Sequence, residues 1–329
     1  MTVNIKDVAR AAGVSISTVS RALGKGPVSA EVREQVQAAV KATGYRPNLS
    51  ARRLRSQHTL TVGLIVADIR NPFFTAVSRA VEDAAYQAGM RVILCNTDED
   101  PAREALYVRL MQEERVTGLI FAPTRATIGQ LRAAPFDFPV VLIDRAGPDG
   151  QFDTVVLDNR AASAALVEHL AVQGYRRIGG LFGGTSTTGL EREAGFSAAM
   201  AAHGLAGESR FVAPNAAAAE AEAMAWLASP ARPEALVLSN GLLLTGAVKA
   251  ARAHGLRIPE DIGLAGFDNE TWTGLVQPGL TVIEQPVETI GREAMALLFQ
   301  RLKTPQAPTR KVVLSGTCLV RGSTAARAG

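Results

Sequence analysis

Two rhythms of apolar residues run along this chain, and they change over near residue 60. In the first stretch Val8, Ala12, Val14, Val19, Leu23, Val32, Val36 and Val40 recur at helical spacing, enough for a miniature core. The spacing predicts three short helices, over 5–12, 16–23 and 30–43. Gly13 stops the first. Ser15 and Ser29 are placed to cap the second and third, and Gly44 sits where a glycine ends a helix. Pro47 breaks the third helix. The segment after it, LSARRLRS, can be helical but is too short to hold a helix alone in water.

Beyond Leu60 apolar runs alternate with amphipathic stretches. TVGLIVAD, RVILCNTD, VTGLIFAP, PVVLID, TVVLD, RIGGLFGG, ALVLSN, IGLAGFD and TVIEQP read as strands. The stretches 73–88, 101–115, 161–173, 191–202 and 242–254 read as helices between them, and the Ala-rich region 216–225 as one more. Near-continuous apolar strands separated by helices predict parallel sheets covered on both faces. This texture predicts two α/β lobes, with a ligand cleft beyond the carboxyl ends of the strands. Polar clusters stand at those ends: 68–74, 96–101, Asp144-Arg145, Asn240 and Asp268-Asn269. The organisation expected is a small all-α head over 1–46, a hinge or linker over 47–59, and a two-lobed α/β body over 60–329. The first lobe takes about 60–158 and the second about 159–285, with the remaining C-terminal residues shared between them.

Charge sharpens this division. Residues 1–58 hold ten Lys or Arg against three Asp or Glu, so they carry +7; with +4 for the whole chain, the rest carries −3. A small basic head on a mildly acidic body is expected where only the head meets a polyanion. At 47% hydrophobic and 20% charged residues the chain reads as soluble and globular. No apolar run is long enough to span a membrane, and the start MTVNIKDVARAAG is no secretory signal, so a cytoplasmic protein is expected. Cys95 and Cys318 are far apart and read as free thiols.

IKDVARAAGVSISTVSRAL reads as a helix–turn–helix whose second helix lies in a DNA major groove. Arg21 is the only long donor on that helix and suits guanine, which offers two acceptors to a guanidinium. Thr18 and Ser20 are short hydroxyls suited to phosphates. Together with GYRPN over 44–48 and ARRL over 51–54, this string resembles the DNA-binding head of the LacI/GalR repressor family. The resemblance runs on through NPFF (71–74), DEDP (98–101), GFDN (266–269) and IEQP (283–286), in order and over nearly the full length. It implies a helix–turn–helix head followed by a periplasmic-binding-protein-like effector domain. By position it places Ile16, Ser17 and Arg21 at base edges, and Thr18, Ser20, Ser29, Tyr45 and Asn48 on the DNA backbone. Leu54 falls on the family's minor-groove wedge, flanked by Arg52, Arg53 and Arg55, with Arg55 also expected at the DNA. A leucine from each of two adjacent hinge helices can pry open a central base step.

For the body the resemblance implies that Phe73 and Phe74 stack on an apolar ligand face. Asp98, Arg145, Arg192, Asn240, Asp268 and Gln285 would direct hydrogen bonds at hydroxyls or a carboxylate. Each has a structural alternative: Asp98 capping the next helix, Asp268 orienting a loop, Arg145 pairing with an acid, the phenylalanines as core. Trp272 can line or lid the site. Departures inform the ligand. Gly241 replaces a frequent Asp, and an aromatic before the 216–225 helix is replaced near Asn215; in the head, Gly24 replaces a frequent Asn, so one phosphate contact is expected to be missing. A cleft poorer in acids, with Arg145 and Arg192 kept, favours an anion, because a buried charge needs a partner. A sugar acid such as a gluconate or ketogluconate is therefore the favoured effector, with a neutral sugar or a nucleobase as alternatives. The partners implied are a pseudo-palindromic double-stranded operator, a small effector and a second copy in a homodimer. No long heptad segment follows Gly316, so no tetramerising tail is expected.

An enzyme is the rival class. The Gly-rich 179–189 stretch follows a strand but lacks G-x-G-x-x-G. His58, His169, His203 and His254 are scattered without metal or triad spacing. No cofactor, no metal and no catalysis are expected.

Overall fold

The structure, a computed structural model, describes residues 3–24, 26–45, 59–129, 131–132 and 136–326. Asn48, Leu54 and Arg55 lie outside the described residues, as does nearly all of the expected hinge. The chain divides into two compact units, residues 1–59 and 60–329.

The first unit holds α1 (Ile5–Ala11), α2 (Ile16–Leu23) and α3 (Ala30–Thr43). Each begins at a side chain that accepts from an otherwise unpaired backbone N–H. Asn4 accepts from Lys6 and forms a reciprocal box with Asp7, Ser15 accepts from Thr18, and Ser29 from Val32. Gly44 ends α3 in the left-handed region, where a Cβ would be strained. Val8, Ala12, Val19, Ala22, Val36 and Ala39 close a core of small side chains. Such a core is thin, and a polar clamp supplements it. Arg33 of α3 donates from Nη1 to the carbonyls of Ala22 (2.6 Å) and Gly24 (3.2 Å), and from Nη2 to that of Gly26 (3.1 Å). The Ala22 carbonyl is one that the end of α2 leaves without a helical partner, and the other two belong to the cap and the turn that follow.

The second unit is two six-stranded sheets with helices on their faces. One lobe carries β1 (Thr61–Val66), β2 (Arg91–Asn96), β3 (Gly118–Phe121), β4 (Val140–Ile143), β5 (Asp153–Leu157) and the returning β11 (Lys311–Leu314). Its order is β11-β5-β4-β3-β1-β2, all parallel. The other carries β6 (Arg177–Gly183), β7 (Ala206–Val212), β8 (Ala235–Leu238), β9 (Gly263–Phe267), β10 (Thr281–Glu284) and β12 (Thr317–Leu319). Its order is β12-β10-β9-β8-β6-β7, with β12 antiparallel to β10. The expected architecture holds, with that one antiparallel edge added. The chain passes between sheets three times, after Leu157, after Glu284 and after Leu314.

Helices α4 (Pro72–Gln87), α5 (Pro101–Glu113) and α12 (Val287–Lys303) cover the first sheet, together with a short α6 (Arg125–Ile128). Helices α7 (Asn159–Val172), α8 (Thr187–Ala202), α9 (Ala216–Leu227) and α10 (Gly241–Ala253), and the short α11 (Thr271–Leu275), belong to the second. Central strands such as β1 are buried throughout, as continuous apolar runs require. The glycines of β6 are explained by packing: a Cβ on Gly179 would stand 2.7 Å from the ring of Trp226. The Ala-rich α9 is explained in the same way. Its backbone comes so close to α10 that a Cβ on Gly246 would lie 2.4 Å from the Ala216 carbonyl. Cys95 is buried, Cys318 is half-buried, and both are free. Among the described residues no helix is long and apolar enough to cross a membrane.

Arg33→Ala removes three charged hydrogen bonds to buried carbonyls, so it should destabilise the head by about 1.5–3 kcal/mol. Amide exchange in the full chain is the check: protection of α2 and α3 should fall about 10- to 100-fold, with the strands of the body unchanged.

Candidate functional site

The face presented by α2 is polar and open. Ile16 is 40% exposed, and Ser17, Ser20 and Arg21 are exposed beside it. Residues 17, 20 and 21 are spaced i, i+3 and i+4 and share one side of the helix. Val19 and Ala22 turn the opposite side into the core. Arg21 folds back along its own helix, Nε donating to the Ser17 carbonyl (3.4 Å) and Nη2 to Thr18 Oγ1 (3.5 Å). Both bonds are long, so a guanidinium leaving them loses little. Ser29 uses its oxygen as the α3 cap, which leaves its hydroxyl hydrogen able to donate to a phosphate. Tyr45 packs half-buried against the head core.

In the body, the carboxyl ends of β1, β2 and β4 face those of β6, β8 and β9 across a cleft. Its lining includes Asp68, Phe73, Phe74, Glu99, Asp144, Arg145, Ser186, Arg192, Asn240, Asp268 and Gln285, around a cavity of about 50 Å³. Seven of the eight expected ligand residues are brought together there. Backbone strain marks the same ends. Asp98, Glu99, Asp144 and Asp268 all have positive φ, between 53° and 76°. For residues other than glycine such a conformation costs about 1–3 kcal/mol and concentrates at functional sites.

Asp98 is the one expected ligand residue that the structure places apart from the other seven. It is not among the residues lining the cleft. Its carboxylate takes Arg70 and Arg103 as ion partners and accepts from Asn96 Nδ2 at 2.9 Å. These partners hold it below the usual carboxylate range, the Asn96 bond foremost. Nor does it cap α5, which Asp100 does. Glu99 turns into the cleft instead. The two residues sit consecutively in the left-handed region, and sequence position alone does not say which side chain faces inward.

Arg145 and Arg192 have different surroundings. Arg145 is neutralised: Glu99 meets both terminal nitrogens, Asp144 Oδ2 stands 3.3 Å from Nε as an ion partner without a hydrogen bond, and the Pro123 carbonyl accepts at 2.7 Å. Burial pushes the carboxyl of Asp144 up, with Arg145 pulling the other way. Arg192 is 4% exposed and has no carboxylate oxygen within 4 Å among the described residues. Its Nε donates to Asn159 Oδ1 (2.8 Å), Nη1 to the Ser239 carbonyl, and Nη2 to Gln285 Oε1 (3.4 Å). Its flat face lies 4.0 Å over the Phe267 ring. Burial lowers its pKa, and more distant Asp268 and Asp144 act against that.

The remaining groups are fixed by helix starts. Asn240 caps α10, accepting from Leu243 N at 2.8 Å. Asp268 accepts from the Gly241 N–H (2.9 Å) and from Gln285 Nε2 (2.6 Å). Phe73 and Phe74 meet edge to face at 5.0 Å, and are both core and cleft wall. Trp272 does not line the cleft; it lines an adjoining cavity with Phe73 and Glu270. The Gly-rich stretch that invites a dinucleotide reading brings α8 against β6: a Cβ on Gly189 would lie 2.0 Å from the Gly183 carbonyl. Sequence reasoning did not place Glu99, Asp144, Asn159 or Ser239 among the ligand residues. The first two lie in the polar clusters at strand ends, which is the signal that finds them. Asn159 and Ser239 are acceptors for Arg192, and Ser239 also lines the cleft; neither carries such a signal.

Two family models match the chain. Residues 4–48 match the model for bacterial regulatory proteins of the lacI family, and residues 167–324 the periplasmic binding protein-like domain. The HTH-type transcriptional regulator PtxS of Pseudomonas plecoglossicida is 36% identical over 332 residues, covering 99% of this chain and 96% of that protein. Among solved structures, the Lac repressor dimer bound to operator and the anti-inducer ONPF is 25% identical. It matches with a TM-score of 0.89 and covers 99% of this chain and 100% of its own. The complex of the transcriptional regulator CelR with cellobiose is 26% identical, with a TM-score of 0.71 over 98% of this chain and 99% of its own. With an open polar helix in a basic head, and a strained cleft between two lobes, the chain belongs to the lacI family of bacterial regulatory proteins and is a ligand-responsive transcriptional regulator.

Proposed function

We propose that the protein is a dimeric repressor of carbohydrate or sugar-acid catabolism genes, whose operator affinity is set by a sugar acid held between its lobes. One observation carries the effector class. Arg192 is a buried cation facing the cleft with carbonyl, amide and ring partners but no close carboxylate. A buried charge of this kind gains most from an anion, and a carboxylate can meet a guanidinium with two parallel bonds. Arg145 does not share the role, because Glu99 and Asp144 already neutralise it. Helices α8 and α10 both start at the cleft, so the positive ends of two backbones face the ligand. Asn240, Asp268 and Gln285 remain for hydroxyls. The cellobiose bound by the CelR neighbour supports the carbohydrate class. A neutral sugar is the second reading, favoured by the four carboxylates of Asp68, Glu99, Asp144 and Asp268 around the cleft.

On DNA, Arg21 reads a guanine edge while Ile16 and Ser17 supply apolar and short polar contacts. Thr18, Ser20, Ser29 and Tyr45 grip the backbone, with Asn48, Leu54 and Arg55 completing the contact. Effector and operator are coupled by differential affinity, so each alters the other's binding by the same factor.

A panel of sugars and sugar acids, screened by thermal unfolding, tests the effector. At 100 times its dissociation constant a ligand adds about 2.7 kcal/mol, or roughly 5–10 °C in Tm. A shift with a sugar acid and not with the matching neutral sugar is expected; the reverse order rules out the anion reading. In that assay Arg192→Ala should weaken the sugar acid about 100-fold, which is about 2.7 kcal/mol.

Operator binding tests the head. Arg21→Ala should cost about 1–3 kcal/mol per half-site and relax the preference at one base pair, read by titrating operators substituted one pair at a time. An equal loss on every sequence would instead make Arg21 a phosphate contact.

A further inference from the structure

Gly241 opens α10 at a point where a side chain has no room. A Cβ there would stand 2.1 Å from Glu270 Oε1 and 3.4 Å from Asp268 Cβ. The first distance is far inside van der Waals contact, so the carboxyl of Glu270 occupies the space that a side chain at 241 would take. Glu270 Oε2 accepts from Trp272 Nε1 at 2.7 Å. Oε1 is buried and has no hydrogen-bond partner among the described residues. Gly241 also gives its N–H to Asp268. One glycine thus seats two carboxyl groups of the same loop, and the residue before it, Asn240, lines the cleft together with Asp268.

We infer that Glu270 is a positioning residue of the effector cleft: seated on Gly241 and holding Trp272, it fixes the 268–272 loop so that Asp268 faces the ligand. The inference rests on the reading of that cleft as the effector site. Gly241 and Glu270 are a matched pair. The acid that family resemblance expects at 241 is replaced by one that reaches the same place from 270, and any side chain at 241 expels it. The carboxylate lost from position 241 is therefore not lost from this part of the fold.

Burial pushes the Glu270 carboxyl up; the Trp272 bond opposes this and the charge of Asp268 adds to it. The groups facing it are Asp268 and Trp272 on its own loop and Gly241 of α10. Across the adjoining cavity lie Pro72, Phe73, Ala76 and Val287, none titratable, and Glu284. The folded chain therefore keeps this proton to a higher pH than the unfolded chain does. The stability it contributes is complete below the unfolded value, about 4.3, and is lost as pH rises through the folded value. Glutamine cannot ionise and removes that slope.

G241A, E270A, G241A/E270A and E270Q in the full chain test the pair. G241A should displace the Glu270 carboxyl and lower Tm only while Glu270 is present, so the double variant should unfold no earlier than E270A alone. Relative to wild type, E270Q should gain stability as pH rises above the unfolded carboxyl value, about 4.3. Trp272 emission, isolated by subtracting spectra of W272F, should step with the Glu270 titration as pH rises in wild type and stay flat in E270Q. Additive losses in the double variant, or the same step in E270Q, overturn the proposal. With D-gluconate as probe, G241A and E270A should each bind at least tenfold more weakly and E270Q within threefold of wild type; equal affinity in all four overturns the positioning role. If D-gluconate does not bind wild type, the effector reading loses that ligand, while the unfolding cycle and the emission step still decide where Glu270 sits.

Discussion

Arg192 reaches from the second turn of α8 into the space between the two lobes, and a guanidinium in that position sets terms for everything around it. It cannot give up its proton, so its burial has to be offset by acceptors of fixed geometry. The fold supplies them from three directions: Asn159 at the start of α7, the Ser239 carbonyl at the end of β8, and Gln285 at a passage between lobes. Phe267, at the end of β9, supports the flat face. Strand ends, a helix start and a crossover are thereby held in one register. Gln285 passes the constraint on, donating to Asp268, which in turn accepts from the first N–H of α10. A ligand that engages Arg192 therefore acts on a group already connected to a crossover, the kind of place where lobe arrangement can be biased.

The strain in the cleft belongs to the same economy. Asp98, Glu99, Asp144 and Asp268 adopt the left-handed region just after the ends of three strands, and three of them line the cleft. Five acids in and beside the cleft, counting Asp68, would repel one another if all were free. They are not free: Asp68 pairs with Arg70, Glu99 and Asp144 with Arg145, Asp98 with Arg70 and Arg103 outside the cleft, and Asp268 with backbone and amide donors. Of the two cleft arginines, the one that remains without a close counter-charge is Arg192.

Burial pattern decided what was legible in the sequence. TVGLIVAD and its companions are buried on both faces, so their apolar runs declared strands and, by alternation with helices, parallel sheets. β7 (AGESRFV) pairs with β6 from Arg177–Ala206 to Gly183–Val212, yet it is an edge strand with polar, largely exposed side chains, and no apolar run betrays it. The short β11 and β12, with their alternating or partial burial, escape for the same reason. In the site, residues with long donors or acceptors at strand ends were legible. The choice between Asp98 and Glu99 was not, because it turns on two backbone dihedrals. Gly241 was legible as a departure, but its physical partner was not: Glu270 is 29 residues away in sequence, and only the fold brings its oxygen to the missing Cβ.

The reading of the head as half of a two-fold reader follows from magnitudes. A single bidentate arginine–guanine contact discriminates by about 1–3 kcal/mol, and α2 offers one long donor, Arg21, beside Ile16 and Ser17. Specific binding needs about 4–10 kcal/mol over non-specific binding to find a site in a genome. One head falls short. Two heads double the base-edge term and also let sequence-dependent DNA shape contribute between half-sites. The body then controls DNA affinity without touching a base. When both heads are required together, a change in their spacing forfeits the whole contribution of the second. A few kcal/mol of ligand preference for one lobe arrangement is enough to decide occupancy.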